Sequence, residues 1–239
     1  MTRLISCIIP LAAAFQKPAL QSPGHGPGPR QPTKLASAVE KTNYAIVGCG
    51  SPARGMGWFH GLQLVEGECP SARLSDVVEP WFLGGGKETP AGEQFAAVPA
   101  EWTDVRFAPE LDAATWSDAP PGPRLALIAG RTVDNPGFFR QALASGATHI
   151  LLEKPGAPTV AELEAMAAEA KAAGVPVFMG FIKNIASYFT EALACANANP
   201  GSVVTLTSLN DYTAETLPEC FERNAEGLLK NMAIHELAL

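Results

Sequence analysis

Two glycines one residue apart, Gly48 and Gly50, follow a short apolar run in the stretch AIVGCGSPARGMGWFHGLQL. Such glycines let a backbone approach a phosphate group closely, and the free amides at the start of a following helix can donate to it. The stretch fits the pattern G-x-G-x-x-A, but Pro52 and Arg54 indicate that the helix starts later, near Gly57. We therefore predict a lengthened phosphate-binding turn; the alternative is an ordinary bend between a strand and a helix.

An acidic residue, Glu79, ends the next apolar run, ARLSDVVEP. A carboxylate at that position can accept both ribose hydroxyls of an adenosine and repels a 2′-phosphate, so it favours NAD over NADP. Ser51 belongs to the same predicted cofactor-binding turn, and Arg54 can add a positive charge beside the phosphates. The alternative is that Glu79 is only a solvated strand end.

The elements that position these residues alternate between strand and helix. Apolar runs predict five strands, in YAIVG, ARLSDVV, RLALIAG, THILLEK and VPVFMG, and helical patterns lie between most of them. This order predicts an α/β fold with a doubly wound parallel sheet covered on both faces, in which ligands bind beyond the carboxyl ends of the strands. Residues 81–122 are expected to be rich in loops, with LGGGKETPAGE as a surface insertion.

The helix predicted in PTVAELEAMAAEAKAAG has the clearest signals. Thr159 and Glu162 predict a capping box at its start, and Gly174 predicts a left-handed residue at its end. Its apolar stripe is predicted to contain Val160, Leu163, Met166, Ala167 and Ala170.

Composition excludes several classes of protein. The chain has 239 residues, is 47% hydrophobic and carries a net charge of −7 without a basic block, so nucleic acid and anionic membrane surfaces are not expected partners. No apolar run approaches the ~20 residues that span a bilayer. The five cysteines form no C-x-x-C pair, so neither a metal site nor a disulfide framework is predicted.

The first 39 residues contain four basic residues and no acid, with an apolar segment followed by a stretch rich in proline and glycine. This pattern predicts a disordered targeting presequence over residues 1–39. The apolar segment and its A-A-A site resemble the two-part plastid presequence of algae with secondary plastids. Secretion, mitochondrial import, or a cytoplasmic protein with a misassigned start codon are the alternatives.

A second motif, E-K-P at Glu153-Lys154-Pro155, is followed by a helix and Gly180-Phe181. Together with the glycine turn it resembles the Gfo/Idh/MocA oxidoreductases, the family of glucose-fructose oxidoreductase and inositol dehydrogenase, from about Asn43 to the last residue. The resemblance implies a dinucleotide-binding Rossmann domain over residues 40–181. It also implies that residues 182–239 begin an incomplete α+β domain for substrate binding and oligomerisation.

The resemblance also implies site residues and a reaction. Glu153, Lys154 and Pro155 would contact the cofactor, and Lys154 would also donate to the substrate oxygen. The segment GLLKNMAIH is similar to the family's G-x-L-x-D-x-G-x-H, so His235 would move the hydroxyl proton, while Asn231 stands where the family has Asp. Asn can orient a substrate but cannot act as an acid or base. Lys183 and Asn184 lie where the family often has polar residues that contact substrate or nicotinamide.

The implied activity is NAD- or NADP-dependent hydride transfer to or from a secondary alcohol or carbonyl of a sugar, cyclitol or similar small molecule. The alternative is a dinucleotide-binding sensor or decayed enzyme of the same family, which Asn231 favours. Family members continue with a large antiparallel sheet, so the sequence is expected to be a fragment, a truncated gene model, or a protein that has lost that domain. A homo-oligomer is expected if the full second domain exists.

Overall fold

The computed structural model describes residues 40–203, 205, 213–215, 217, 218 and 234. Its strands are β1 (Thr42–Val47), β2 (Ala72–Val78), β3 (Arg106–Ala108), β4 (Arg124–Ile128), β5 (His149–Leu152) and β6 (Val177–Met179). Its α-helices are α1 (Met56–Val65), α2 (Pro90–Phe95), α3 (Val98–Glu101), α4 (Asn135–Ala144), α5 (Val160–Ala173) and α6 (Ser187–Ala198).

The six strands form one parallel sheet in the order β3-β2-β1-β4-β5-β6. This is the strand order of a Rossmann-type fold, and it confirms the predicted doubly wound α/β architecture. Val47 lies opposite Ile128, and Ile128 lies opposite Leu152. The loops that follow β1, β4 and β5 therefore leave the sheet side by side at one edge.

Both faces of the sheet are buried, because successive residues of each strand point to opposite sides. In β1, Val47 packs into a cluster that includes Phe139 of α4 and Met166 of α5. Its neighbour Ile46 packs into a second cluster, which contains Phe95 of α2. Strands buried on both sides read as continuous apolar runs, which is why the sequence predicts them well.

The α5 helix confirms its predicted ends. Thr159 Oγ1 accepts from Glu162 N at 3.2 Å, the Glu162 side chain accepts from Thr159 N at 3.2 Å, and Gly174 is left-handed with φ +68°. The predicted apolar stripe is partly wrong. Met166 and Ala170 are buried and Leu163 is half-buried, but Val160 is 70% exposed and Ala167 is also exposed. Val160 and Ala167 lie beside the buried face of α5, which is narrower than the sequence pattern indicates.

Residues 81–122 are rich in loops, as predicted, but they also contain three short elements that the sequence does not predict, α2, α3 and β3. The α2 helix begins with Pro90 as its first residue, and Gly92 N donates to Thr89 Oγ1 at 3.1 Å. The β3 strand has only three residues and pairs with the edge of β2. Elements this short give too little periodicity to be distinguished from loops in the sequence.

A buried carboxylate fastens β3 and the loop after it to the sheet. Asp76 in β2 is 2% exposed, and its two oxygens accept from Arg106 Nη1 at 3.1 Å and from Trp116 N at 3.1 Å. Arg106 Nη2 also donates to Asp112 Oδ2 at 2.6 Å. Although burial opposes the charge, the hydrogen bonds to Asp76 and Asp112 raise the pKa of Arg106 above its ordinary value.

Replacing Asp76 with alanine is expected to lower the free energy of unfolding by about 2–3 kcal/mol, because the change removes one acceptor of Arg106, which keeps Asp112, and leaves the buried Trp116 amide without an acceptor. Urea unfolding followed by circular dichroism measures this loss. Glu169→Ala is the matched control, since it breaks the exposed Arg140–Glu169 pair and is expected to cost less than about 1 kcal/mol. Equal losses in the two variants would contradict the structural role given to Asp76.

Of the described residues, 40–181 and 234 belong to one compact unit, and those between 182 and 218 belong to another. The sheet and α1–α5 belong to the first unit. The second contains a 3₁₀ turn, Ile182–Asn184, and α6, which buries Phe189. The predicted presequence, residues 1–39, lies outside the described residues. Within the described part of the chain, no helix has the length and apolar character needed to cross a membrane.

Candidate functional site

The glycine turn follows β1 and leads into α1, as predicted. Gly48 and Gly50 both have positive φ, at +80° and +76°, in the region that favours glycine. Arg54 N and Gly55 N donate to Ser51 O at 3.2 and 2.8 Å, which forms an extra bend before the helix. The lengthened turn is therefore confirmed, with the helix starting at Met56.

Backbones approach one another closely at this turn because side chains are absent. A Cβ on Gly57 would lie 2.5 Å from Gly48 O, and a Cβ on Gly50 would lie 2.9 Å from Gly55 Cα. In the first turn of α1, Trp58 N donates to Cys49 O at 2.6 Å, and the N-cap residue Gly55 offers no side chain to the Met56 and Gly57 amides. The glycines thus let the turn and the start of α1 pack backbone against backbone.

Glu79 is not a solvated strand end, and that alternative is wrong. Its carboxylate is 4% exposed and accepts from Gly50 N at 2.8 Å through Oε2. Oε1 accepts from Trp81 N at 3.1 Å and from Phe82 N at 3.4 Å. A carboxylate has about four acceptor positions, so these three contacts leave capacity for a ligand hydroxyl. Glu79 therefore joins the glycine turn to the loop that follows β2.

The other predicted turn residues differ in exposure. Ser51 is half-buried within the bend, and Arg54 is exposed. Cys49, between the two glycines, is fully buried. Burial and the nearby Glu79 carboxylate raise the pKa of the Cys49 thiol far above its ordinary value, so Cys49 is a neutral packing residue rather than a nucleophile.

The E-K-P segment follows β5 at the same edge of the sheet as the glycine turn. Glu153 N donates to Ile128 O at 2.8 Å, which continues the ladder between β4 and β5 by one residue. Lys154 is half-buried, Pro155 is buried, and the peptide bond between them is cis. The fold therefore gathers Gly48, Gly50 and the E-K-P residues at neighbouring strand ends.

Two residues that the sequence analysis does not single out belong to this edge. Gly130, two residues after β4, lies against the turn, since a Cβ on Gly48 would be 2.5 Å from Gly130 Cα. His60 of α1 is 2.9 Å from the Glu153 carboxylate. Gly130 has only a weak signal in the sequence, namely a glycine just after a predicted strand. No local signal identifies His60, because its contact with Glu153 joins residues 93 positions apart.

A buried amide oxygen lies beside Gly130. Asn135 is 1% exposed, and in the described part of the chain its Oδ1 has no hydrogen-bond partner. A Cβ on Gly130 would lie 3.1 Å from that oxygen. Beside the glycine turn, the loop after β4 therefore packs closely, and the first residue of α4 contributes one unsatisfied acceptor.

Four predicted site residues do not belong to the described part of the sheet unit. Asn231 and His235 lie outside the described residues, so their predicted roles stay predictions. Lys183 and Asn184 lie in the 3₁₀ turn of the second unit. Among the residues that the structure describes, no group of three or more His, Cys, Asp or Glu is placed to hold a metal ion.

Residues 84–181 match the model of an oxidoreductase family with an NAD-binding Rossmann fold, Gfo/Idh/MocA. A probable dehydrogenase from Thermotoga maritima is 17% identical with a TM-score of 0.56, over 81% of this chain and 52% of that chain. The myo-inositol 2-dehydrogenase from Lactobacillus plantarum is 16% identical with a TM-score of 0.60, over 82% and 54%. GenD2 from gentamicin A biosynthesis, solved in complex with NAD, is 24% identical with a TM-score of 0.52, over 72% and 43%.

At these identities the solved structures show a shared fold. The chain spans about half the length of the structures that it matches. A search of curated proteins gives no match.

Proposed function

We propose, from the match of residues 84–181 to the model of the Gfo/Idh/MocA oxidoreductases, that this protein binds NAD at the turn after β1 and transfers hydride between it and a secondary alcohol or carbonyl of a sugar or cyclitol. The observation that carries the proposal is the shared sheet edge. There the turn of Gly48 and Gly50, the buried Glu79 and the E-K-P segment meet at the ends of adjacent strands. This is the edge at which ligands bind in open parallel sheets.

The residues present fit a dinucleotide. At Gly48, Gly50 and Gly57 a Cβ would collide with neighbouring backbone, so these glycines allow the tight turn that a dinucleotide-binding loop needs, and with no side chains there the backbone is open to close approach by a pyrophosphate. The start of α1 supplies amide donors, and Arg54 supplies a positive charge. The remaining acceptor capacity of Glu79 suits an adenosine ribose hydroxyl, and its negative charge opposes a 2′-phosphate.

At the other half of the dinucleotide, Glu153 and Lys154 would contact the ribose and nicotinamide. Bound NAD supplies the hydride acceptor. The Lys154 amine would donate a hydrogen bond to the substrate oxygen and stabilise the negative charge that develops on it. His235 would accept or return the hydroxyl proton, and Asn231 would orient the substrate by hydrogen bonds.

The substrate class is a secondary alcohol or carbonyl of a sugar, cyclitol or related compound. The structural likeness to a myo-inositol 2-dehydrogenase supports a polyol. We also propose a plastid protein, on the acid-free residues 1–39, and a homo-oligomer if a full second domain is present.

Titration of the full chain with NADH and NADPH, followed by nucleotide fluorescence, tests the proposal. Saturable binding is expected, with NADH bound about tenfold or more tightly than NADPH because the Glu79 carboxylate opposes the extra phosphate. Glu79→Gln keeps an acceptor for Gly50 N but removes the charge, so it is expected to narrow that preference.

Equal binding of the two nucleotides by the wild type would refute the role of Glu79 while leaving a dinucleotide site in place. If the chain is folded by circular dichroism and binds neither nucleotide, the proposed function fails. Binding of NADH without turnover of any polyol would instead favour the sensor or decayed enzyme.

A further inference from the structure

A histidine–carboxylate pair links the helix that begins at the glycine turn to the E-K-P segment. His60 is the fifth residue of α1, and Glu153 is the first residue after β5. His60 Nε2 and Glu153 Oε1 are 2.9 Å apart, and the two side chains are 26% and 13% exposed. An ionised carboxylate only accepts hydrogen bonds, so the imidazole carries its hydrogen on Nε2, and Nε2–H donates a hydrogen bond to Oε1.

The carboxyl group of Glu153 is also confined on another side. A Cβ on Gly180 would lie 2.8–3.0 Å from the three atoms of this carboxyl group, so the Glu153 side chain lies directly against the Gly180 backbone. The Glu153 backbone is fixed as well, by its hydrogen bond to Ile128 O. Main chain and carboxylate are therefore both held, while the imidazole uses only one of about four acceptor positions.

The location of the pair favours a role in ligand binding over a purely structural one. A partly exposed pair of this kind adds little to stability, typically below about 1 kcal/mol. Glu153 is adjacent to Lys154 and lies at the sheet edge where the proposed cofactor binds. One short helix, α1, supports both regions, since its first turn adjoins Gly48 and its second turn carries His60.

We infer that His60 is a positioning residue for the nicotinamide half of the dinucleotide. It holds the Glu153 carboxylate in the orientation in which its remaining acceptor positions meet the second ribose. This inference rests on the proposed function, and it assigns to His60 a role that acts through Glu153 rather than by contact with the reacting atoms. The adenosine half, held by Glu79 and Gly50, does not depend on His60.

The test compares the affinities of the full chain for NADH and for AMP, which lacks the nicotinamide half. His60→Ala is expected to weaken NADH binding about tenfold, the value of one hydrogen bond to a charged group, and to change AMP binding less than twofold. His60→Gln places a donor at a similar reach and is expected to restore NADH affinity to within about threefold of the wild type. His60→Asn has the same amide but is too short, so it should behave like alanine.

A double-mutant cycle with Glu153→Ala tests whether His60 acts through that residue. In the Glu153→Ala background, His60→Ala is expected to change NADH affinity less than twofold. The inference is overturned if His60→Ala leaves NADH affinity unchanged, weakens NADH and AMP equally, or keeps its full effect without Glu153. Each of these results leaves the proposed function standing, whereas a folded wild type that binds neither nucleotide ends both.

Discussion

Replacing Lys154 with alanine is expected to lower the turnover number for polyol oxidation about a thousandfold and to change the NADH dissociation constant less than about threefold. The amine is proposed to stabilise charge that appears on the substrate oxygen only as hydride leaves, so its loss affects the transition state more than the ground state. Absorbance of NADH formed from inositols and simple sugars measures the rate, and fluorescence titration measures binding.

Lys171→Ala is the matched control for Lys154→Ala. Lys171 is an exposed lysine in the last turn of α5, so its removal changes the net charge equally without touching the sheet edge. Turnover by Lys154→Ala within fivefold of this control would contradict the placement of the amine at the reacting carbon. A parallel loss of NADH binding would assign Lys154 to the cofactor alone.

The variant Gly50→Ala is expected to weaken NADH binding about a hundredfold. The new Cβ would lie 2.9 Å from Gly55 Cα, a backbone atom that cannot move away without opening the turn. The shift would also disturb the hydrogen bond from Gly50 N to the Glu79 carboxylate. Fluorescence titration against the wild type gives the ratio of the two dissociation constants.

Gly67→Ala separates the close contact from the strain of a left-handed alanine. Gly67 has the same φ as Gly50, +76°, but a Cβ there meets nothing within 4 Å. Both variants are expected to lose about 1 kcal/mol of folding stability from the backbone conformation, and only Gly50→Ala is expected to lose NADH affinity. Similar affinities in the two variants would show that the turn does not contact the cofactor.

The sequence predicts the sheet well because its strands are buried on both faces. Runs such as AIV and LALI are apolar throughout, and the helix after Thr159 has a clear sequence signal at each of its ends. The sequence does not predict β3, and it predicts the buried face of α5 only in part. The β3 strand has three residues and is stabilised by pairing with β2, and the buried face of α5 is set by how this helix packs against the sheet.

Within the site, the residues found from sequence are those with a local signature. The glycine turn and E-K-P each fit a short pattern, whereas Gly130 and His60 gain their positions only when β4 and β5 lie beside β1. Glu79 is predicted only in part. The sequence indicates its place at the end of β2, but its hydrogen bonds to three backbone amides depend on the path of the loop after it.

Those three hydrogen bonds restrict how the preference of this protein for NAD over NADP can change in evolution. The carboxylate proposed to select NAD also braces the turn through Gly50 N and the next loop through Trp81 N. A substitution that admits a 2′-phosphate by removing Glu79 therefore also loosens the turn that would hold the pyrophosphate. A lineage moving towards NADP would have to remove the negative charge at position 79 and still keep acceptors for these amides.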